Sequence, residues 1–157
     1  MKFKELEQEI NIELELIETT LKELMFLYND AIKGEPTVRE KTAAAAFISQ
    51  FYNGIENILK RISYFHTIPL PTGDTWHIDL FKRFCEPPYK HLPALFDKSL
   101  ELDLAAFRKF RHVFFHGYGF QLDWERMKDG IEKIEGVYHR FNNRLTEYLK
   151  ELSKNNR

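Results

Sequence analysis

Residues 107–120 read FRKFRHVFFHGYGF, an aromatic run interrupted by Arg108, Lys109, Arg111, His112 and His116. Those residue types fit phosphoryl chemistry. Phosphoryl transfer needs a proton moved at the attacking and at the leaving oxygen, and imidazole titrates near neutrality. The charge that develops on phosphorus needs a fixed cation with several donors, which guanidinium supplies better than ammonium. On that chemistry His116 is the candidate acid or base and Arg111 the candidate cation. His112 could orient a phosphate, and Tyr118 could donate a hydrogen bond. Arg108 and Lys109 are candidate substrate contacts through charge alone. The same residues also fit a solvated stripe, or imidazoles hydrogen-bonded within a core, and spacing does not choose between these readings. At about 100° per residue, Arg111 and His116 stand roughly 140° apart on an ideal helix. They converge only through the arginine's length, a distortion near Gly117, or a symmetric partner chain.

Other chemistry has weaker support. His112 and His116 have i,i+4 spacing, but Val113, Phe114 and Phe115 lie between them and no glutamate base follows the first histidine, so no metal or other cofactor is expected. The lone Cys85 reads as a small buried residue. Trp76 and His77, next to Leu80, Phe81 and Phe84, read as a core aromatic with a histidine at its edge.

The elements that must position these residues are helical. Phe3, Ile10, Ile17 and Leu24, with Leu14, Leu21 and Tyr28 between them, form one heptad-like stripe that should stop near Gly34 and Pro36. Thr37 and Glu40 have capping-box spacing for a second helix, striped by Ile48, Phe51, Ile55, Ile58, Ile62 and Phe65. Alanines 43–46 should let a neighbouring helix approach closely. After Pro69, Pro71 and Gly73, Asp74 is expected to cap a short helix. A further helix runs from about 100 to 116 and weakens at Gly117 and Gly119. Asp123 should cap the last helix, whose stripe includes Met127, Ile131, Ile134, Tyr138, Phe141, Leu145 and Tyr148. The fold class is therefore all-α, an antiparallel bundle of four main helices plus a short extra helix, with residues 1–157 as a single domain.

Composition sets outer bounds. A chain of 157 residues with 43% hydrophobic and 30% charged residues can bury a core without staples. One cysteine forms no intrachain disulfide, and no stretch of about 18 apolar residues or signal-like N-terminal run is present, so a cytoplasmic protein without membrane contact is expected. The net charge of −1 lacks the basic excess of many nucleic-acid binders. Acidic residues crowd the first 18 positions, however, and basic ones the segment 139–157, which leaves room for a local basic face.

The pattern Arg111-x4-His116-x-Tyr118 resembles the Rx4HxY signature of HepT toxins, within the Rx4-6H motif of the HEPN superfamily. The Trp76-His77 pair, the run Phe110, Arg111, His112, and Leu122-Asp123 are similar to stretches of HepT-like domains, and the helix order agrees over most of the chain. His112 stands where many HEPN enzymes carry Asn or Asp, and Phe115 where related sequences often have a basic residue. The resemblance implies a HEPN-like bundle acting as a metal-independent endoribonuclease toxin on an RNA substrate, in a homodimer whose two motifs meet in one cleft. It implies Arg111, His116 and His112 as catalytic residues. It also implies an MNT-type nucleotidyltransferase antitoxin that silences the toxin by AMPylation of Tyr118. Two alternatives stay open: a catalytically silent HEPN module that binds a nucleotidyltransferase or nucleic acid, and a purely structural helical dimer.

Overall fold

The computed structural model describes residues 1–31 and 33–156. Five helices follow one another: α1 (Phe3–Ala31), α2 (Val38–Phe65), α3 (Trp76–Arg83), α4 (Lys98–His116) and α5 (Trp124–Asn155), with one 3₁₀ turn at Gly119–Gln121 before α5. The described residues contain no strand. The chain is all-helical, as the 3.6-residue stripes require. No described helix is long and apolar enough to cross a membrane.

Helix starts follow local hydrogen-bonding chemistry. Thr37 Oγ1 accepts from the Glu40 amide at 3.1 Å while the Thr37 amide donates to Glu40 Oε1 at 3.0 Å, closing the capping box. Asp97 accepts from the Leu100 amide at the start of α4, and Asp123 from the Glu125 amide at the start of α5. The expectation for α3 needs correction. Its N-cap is Thr75, not Asp74, and Thr75 makes no capping bond, its hydroxyl donating instead to Asp79 Oδ2 at 3.0 Å.

The four long helices form a ring, α1 beside α2, α2 beside α4, α4 beside α5 and α5 beside α1. Neighbours run antiparallel. Arg61, late in α2, reaches Glu9 and Glu13, early in α1, at 2.8 and 3.1 Å. Arg140 on α5 bonds Ser99 Oγ and Asp103 near the start of α4. Tyr28 and Tyr138 donate across the α1 and α5 seam to Glu132 and Glu18. Inside the ring Ile10, Ile17, Leu24, Phe51, Ile55, Ile58, Ile134 and Phe141 are almost fully buried, which supplies the main driving force for assembly. Ala44 and Ala45 are buried as well, but the approach that most needs a small residue is at Gly54. A Cβ there would lie 2.4 Å from Ile17 Cγ1, so glycine is what lets α1 lie against α2 at that level. The short helix α3 sits outside the ring against α2, with Phe81 6.5 Å from Tyr52.

At the C-terminal end of α2, His66 Nε2 and the Tyr148 hydroxyl are 2.6 Å apart, and the His91 ring stacks at 6.4 Å. Burial, and secondarily the neighbouring His91, hold the His66 imidazole below its ordinary value. The unfolded chain therefore binds this proton more readily than the folded one, so stability is complete above the ordinary histidine range and declines as pH falls through it. Thermal melts between pH 8 and pH 5 should show that decline, reduced in His66→Asn. An equal loss in the variant would assign it to other groups.

Candidate functional site

Helix α2 carries a polar stripe, Asn53, Glu56, Asn57 and Lys60, at the i, i+3, i+4, i+7 spacing that puts residues on one face. Opposite that stripe runs α4, and α3 enters between them. The three elements enclose an open cleft of about 920 Å³, lined from α4 by Arg108, Lys109, Arg111, His112 and His116 and from α3 by Trp76 and His77. The cleft therefore gathers the catalytic and substrate-contact candidates of the sequence, Tyr118 excepted. Four cationic side chains on its walls, Lys60, Arg108, Lys109 and Arg111, face two carboxylates, Glu56 and Asp74. A positive local field thus exists on a chain of net charge −1.

Arg111 is the anchor of the cleft floor. Only 7% exposed, it donates from one terminal nitrogen to Asn53 Oδ1 at 2.8 Å and Glu56 Oε1 at 3.3 Å, and from the other to Glu56 Oε2 at 3.1 Å. Glu56 is 5% exposed, so this is a buried, forked ion pair. The ring of Tyr52 lies beneath the guanidinium at 4.6 Å. The arginine therefore turns inward to α2, and its charge is compensated within the protein.

The histidines of α4 turn the other way. His112 and His116 are exposed, one helical turn apart, with ring centroids 4.5 Å apart. They stand at the cleft rim where solvent protons reach them. Lys109 is exposed on the same helix, whereas the Arg108 guanidinium lies 5.0 Å over the Phe81 ring.

Beyond Gly117, which ends α4 in an extended conformation, the 3₁₀ turn presents Tyr118 and Phe120 outward. They are 68% and 70% exposed, and their rings stack at 5.6 Å. A Cβ on Gly119 would meet Thr42 Oγ1 at 2.3 Å, so glycine lets this turn close against the start of α2. Tyr118 stands beside the cleft without being one of its lining residues.

Trp76 and His77 differ in part from the core pair that their neighbours in sequence suggest. Both are half-buried, with Lys60 Nζ 4.7 Å over the indole, and His77 Nδ1 lies 2.7 Å from Glu56 Oε2. Glu56, Asn53 and Lys60 are the residues the sequence reading did not single out. Their signal was a run of polar residues at helical spacing within α2.

Cys85 lies outside the cleft, half-buried, its thiol against the Phe81 carbonyl at 3.5 Å. Burial, with Glu101 adding to it, pushes the thiol up to about 12, which disfavours the thiolate at neutral pH. Among the described residues no group of three or more His, Cys, Asp and Glu side chains is placed to hold a metal ion.

A family model described as HepT-like protein matches residues 43–152, from early α2 through most of α5. The chain belongs to the HepT-like family. No curated protein and no solved structure matches it. The matched span contains the whole cleft, and α1 lies outside it. Membership places this HepT-like chain in the HEPN superfamily, and its all-helical bundle with a short extra helix is the architecture expected there.

Proposed function

We propose that this HepT-like chain is an endoribonuclease toxin that cuts RNA by 2′-hydroxyl transesterification without a metal ion. The observation that carries the reading is the pair of exposed imidazoles, His112 and His116, on the rim of a net-positive cleft whose floor is the Arg111 ion pair. Proton transfer falls to His116, and phosphate orientation to His112 with Lys109. Arg111 contributes through the donors that Glu56 and Asn53 leave unused. The protein acts as a homodimer, in which a twofold axis brings two copies of the motif to one composite cleft and doubles its positive charge.

Single-stranded RNA incubated with the protein in EDTA should be cut to fragments with 2′,3′-cyclic phosphate and 5′-hydroxyl ends. Intact RNA would favour the second reading, a catalytically silent HEPN module that binds a nucleotidyltransferase or nucleic acid. That reading draws on one observation, the neutralisation of Arg111 by Glu56.

Silencing is assigned to an MNT-type nucleotidyltransferase antitoxin that transfers AMP to Tyr118. The 68% exposed phenol on its turn is accessible to a transferase. An adduct would add a nucleotide and a negative charge beside the cleft, where it competes with RNA phosphate. Co-expression with such a transferase should add AMP mass to the peptide bearing Tyr118 and abolish toxicity, and Tyr118→Phe should lose both effects. Inhibition without a mass change would assign silencing to binding alone.

A further inference from the structure

The cleft contains a third histidine, held differently from the other two. His77 Nδ1 lies 2.7 Å from Glu56 Oε2 and 3.0 Å from a terminal nitrogen of Arg111. These two contacts cannot both be hydrogen bonds of one neutral ring nitrogen. If Nδ1 were the bare lone pair accepting from Arg111, it would face a carboxylate oxygen lone pair at 2.7 Å. With the proton on Nδ1, it donates a short, charge-assisted bond to Glu56, and the guanidinium merely lies alongside. Glu56 in turn is fixed by its fork with Arg111 and is 5% exposed, so it holds the imidazole in one tautomer and one orientation. The other nitrogen, Nε2, has no hydrogen-bond partner among the described residues, and the ring, with 40% of its side chain exposed, lines the cleft.

We infer that Glu56 and His77 form a dyad in which His77 Nε2 is the general base of RNA cleavage, a reading that rests on the ribonuclease function proposed above. The logic is that of a carboxylate that orients a base without itself taking the proton. His77 on α3 and His116 on α4 both line the cleft, and in the proposed reaction the phosphodiester lies between these two imidazoles. His77 Nε2 takes the proton of the ribose 2′-hydroxyl as its oxygen bonds to phosphorus. The bond from phosphorus to the 5′-oxygen breaks, and protonated His116 gives that oxygen its proton. The products are a 2′,3′-cyclic phosphate and a 5′-hydroxyl, with the proton count conserved. Arg111 then has a positioning role in addition to its free donors, since it fixes Glu56. The charged groups that share the cleft with His77 are Glu56 and Lys60 from α2, Arg108, Lys109 and Arg111 from α4, and Asp74 on its own segment, and the titratable His112 and His116 line it from α4 as well.

The test is His77→Asn, whose side-chain amide can still donate to Glu56 but leaves no titrating acceptor in the place of Nε2. With the wild type cutting RNA, the variant should lose on the order of 10²-fold or more in kcat while KM moves by no more than about threefold. It should also lose the fall in rate on the acid side of the pH profile, and imidazole added to His77→Ala should restore part of the activity. Long-range ¹H–¹⁵N spectra of the wild type should show His77 protonated at Nδ1. Cutting by His77→Asn at the wild-type rate with the wild-type pH profile would overturn the dyad and leave the ribonuclease reading standing. A ring protonated at Nε2 and bare at Nδ1 would overturn it on structural grounds alone, whereas a wild type that cuts no RNA takes both readings down together.

Discussion

Arg111→Ala should lower stability by about 3–5 kcal/mol, the usual cost of removing one partner from a buried ion pair. Glu56, 5% exposed in the native chain, would then keep only the His77 imidazole at 2.7 Å and Lys60, whose ammonium is 4.0 Å from Oε1 at a partly exposed position. The guanidinium also spans α2 and α4 through Asn53 and covers the Tyr52 ring, and alanine replaces neither contact. For a chain of this length the loss corresponds to a fall in melting temperature of roughly 10 °C. Adding Glu56→Gln to Arg111→Ala removes the stranded carboxylate charge, so the double variant should melt above the single one. A single variant that melts within about two degrees of wild type would mean that water, His77 or Lys60 compensates Glu56 fully.

On the proposed function, His116→Ala should remove activity while sparing the fold. The side chain is exposed, and its packing partner, the His112 ring, is exposed as well, so the stability change should stay within about 0.5 kcal/mol. Loss of a proton-transfer group should cost on the order of 10²–10⁴ in cleavage rate. Together the two variants separate roles that a toxicity assay merges, because either one would appear as an inactive allele. Equal cutting by His116→Ala and wild type would remove this histidine from the reaction.

The helices were legible because each buries one face, so apolar residues return every three or four positions, and α2 additionally announces its start through Thr37 and Glu40. The rim histidines were legible because polar residues in an aromatic run need a reason. What joins Arg111 to its surroundings was not legible. Its partners Asn53, Glu56 and His77 lie 58, 55 and 34 residues away, and they meet only once α2, α3 and α4 pack. An arginine drawn toward a phosphate by its chemistry is instead drawn first to Glu56, because a buried guanidinium requires a counter-charge. Asp74 looked like a cap because aspartate favours that position, yet the chain enters α3 one residue later at Thr75, with the Thr75 hydroxyl given to Asp79. The polar face of α2 was present in the sequence throughout, at helical spacing, but its purpose depends on which helix lies opposite.

The state of Cys85 has a practical consequence for spectroscopy. Half-buried, and held above the ordinary thiol range by burial and Glu101, Cys85 should react slowly with maleimide and methanethiosulfonate reagents while the protein is folded. The native cysteine can therefore stay in place when a labelling cysteine is introduced at an exposed position outside the cleft, such as Leu102 on α4. A spin label there would be carried once per chain. In the proposed homodimer its dipolar spectrum would measure the separation of the two α4 helices in solution, with the core around Phe81 left as it is.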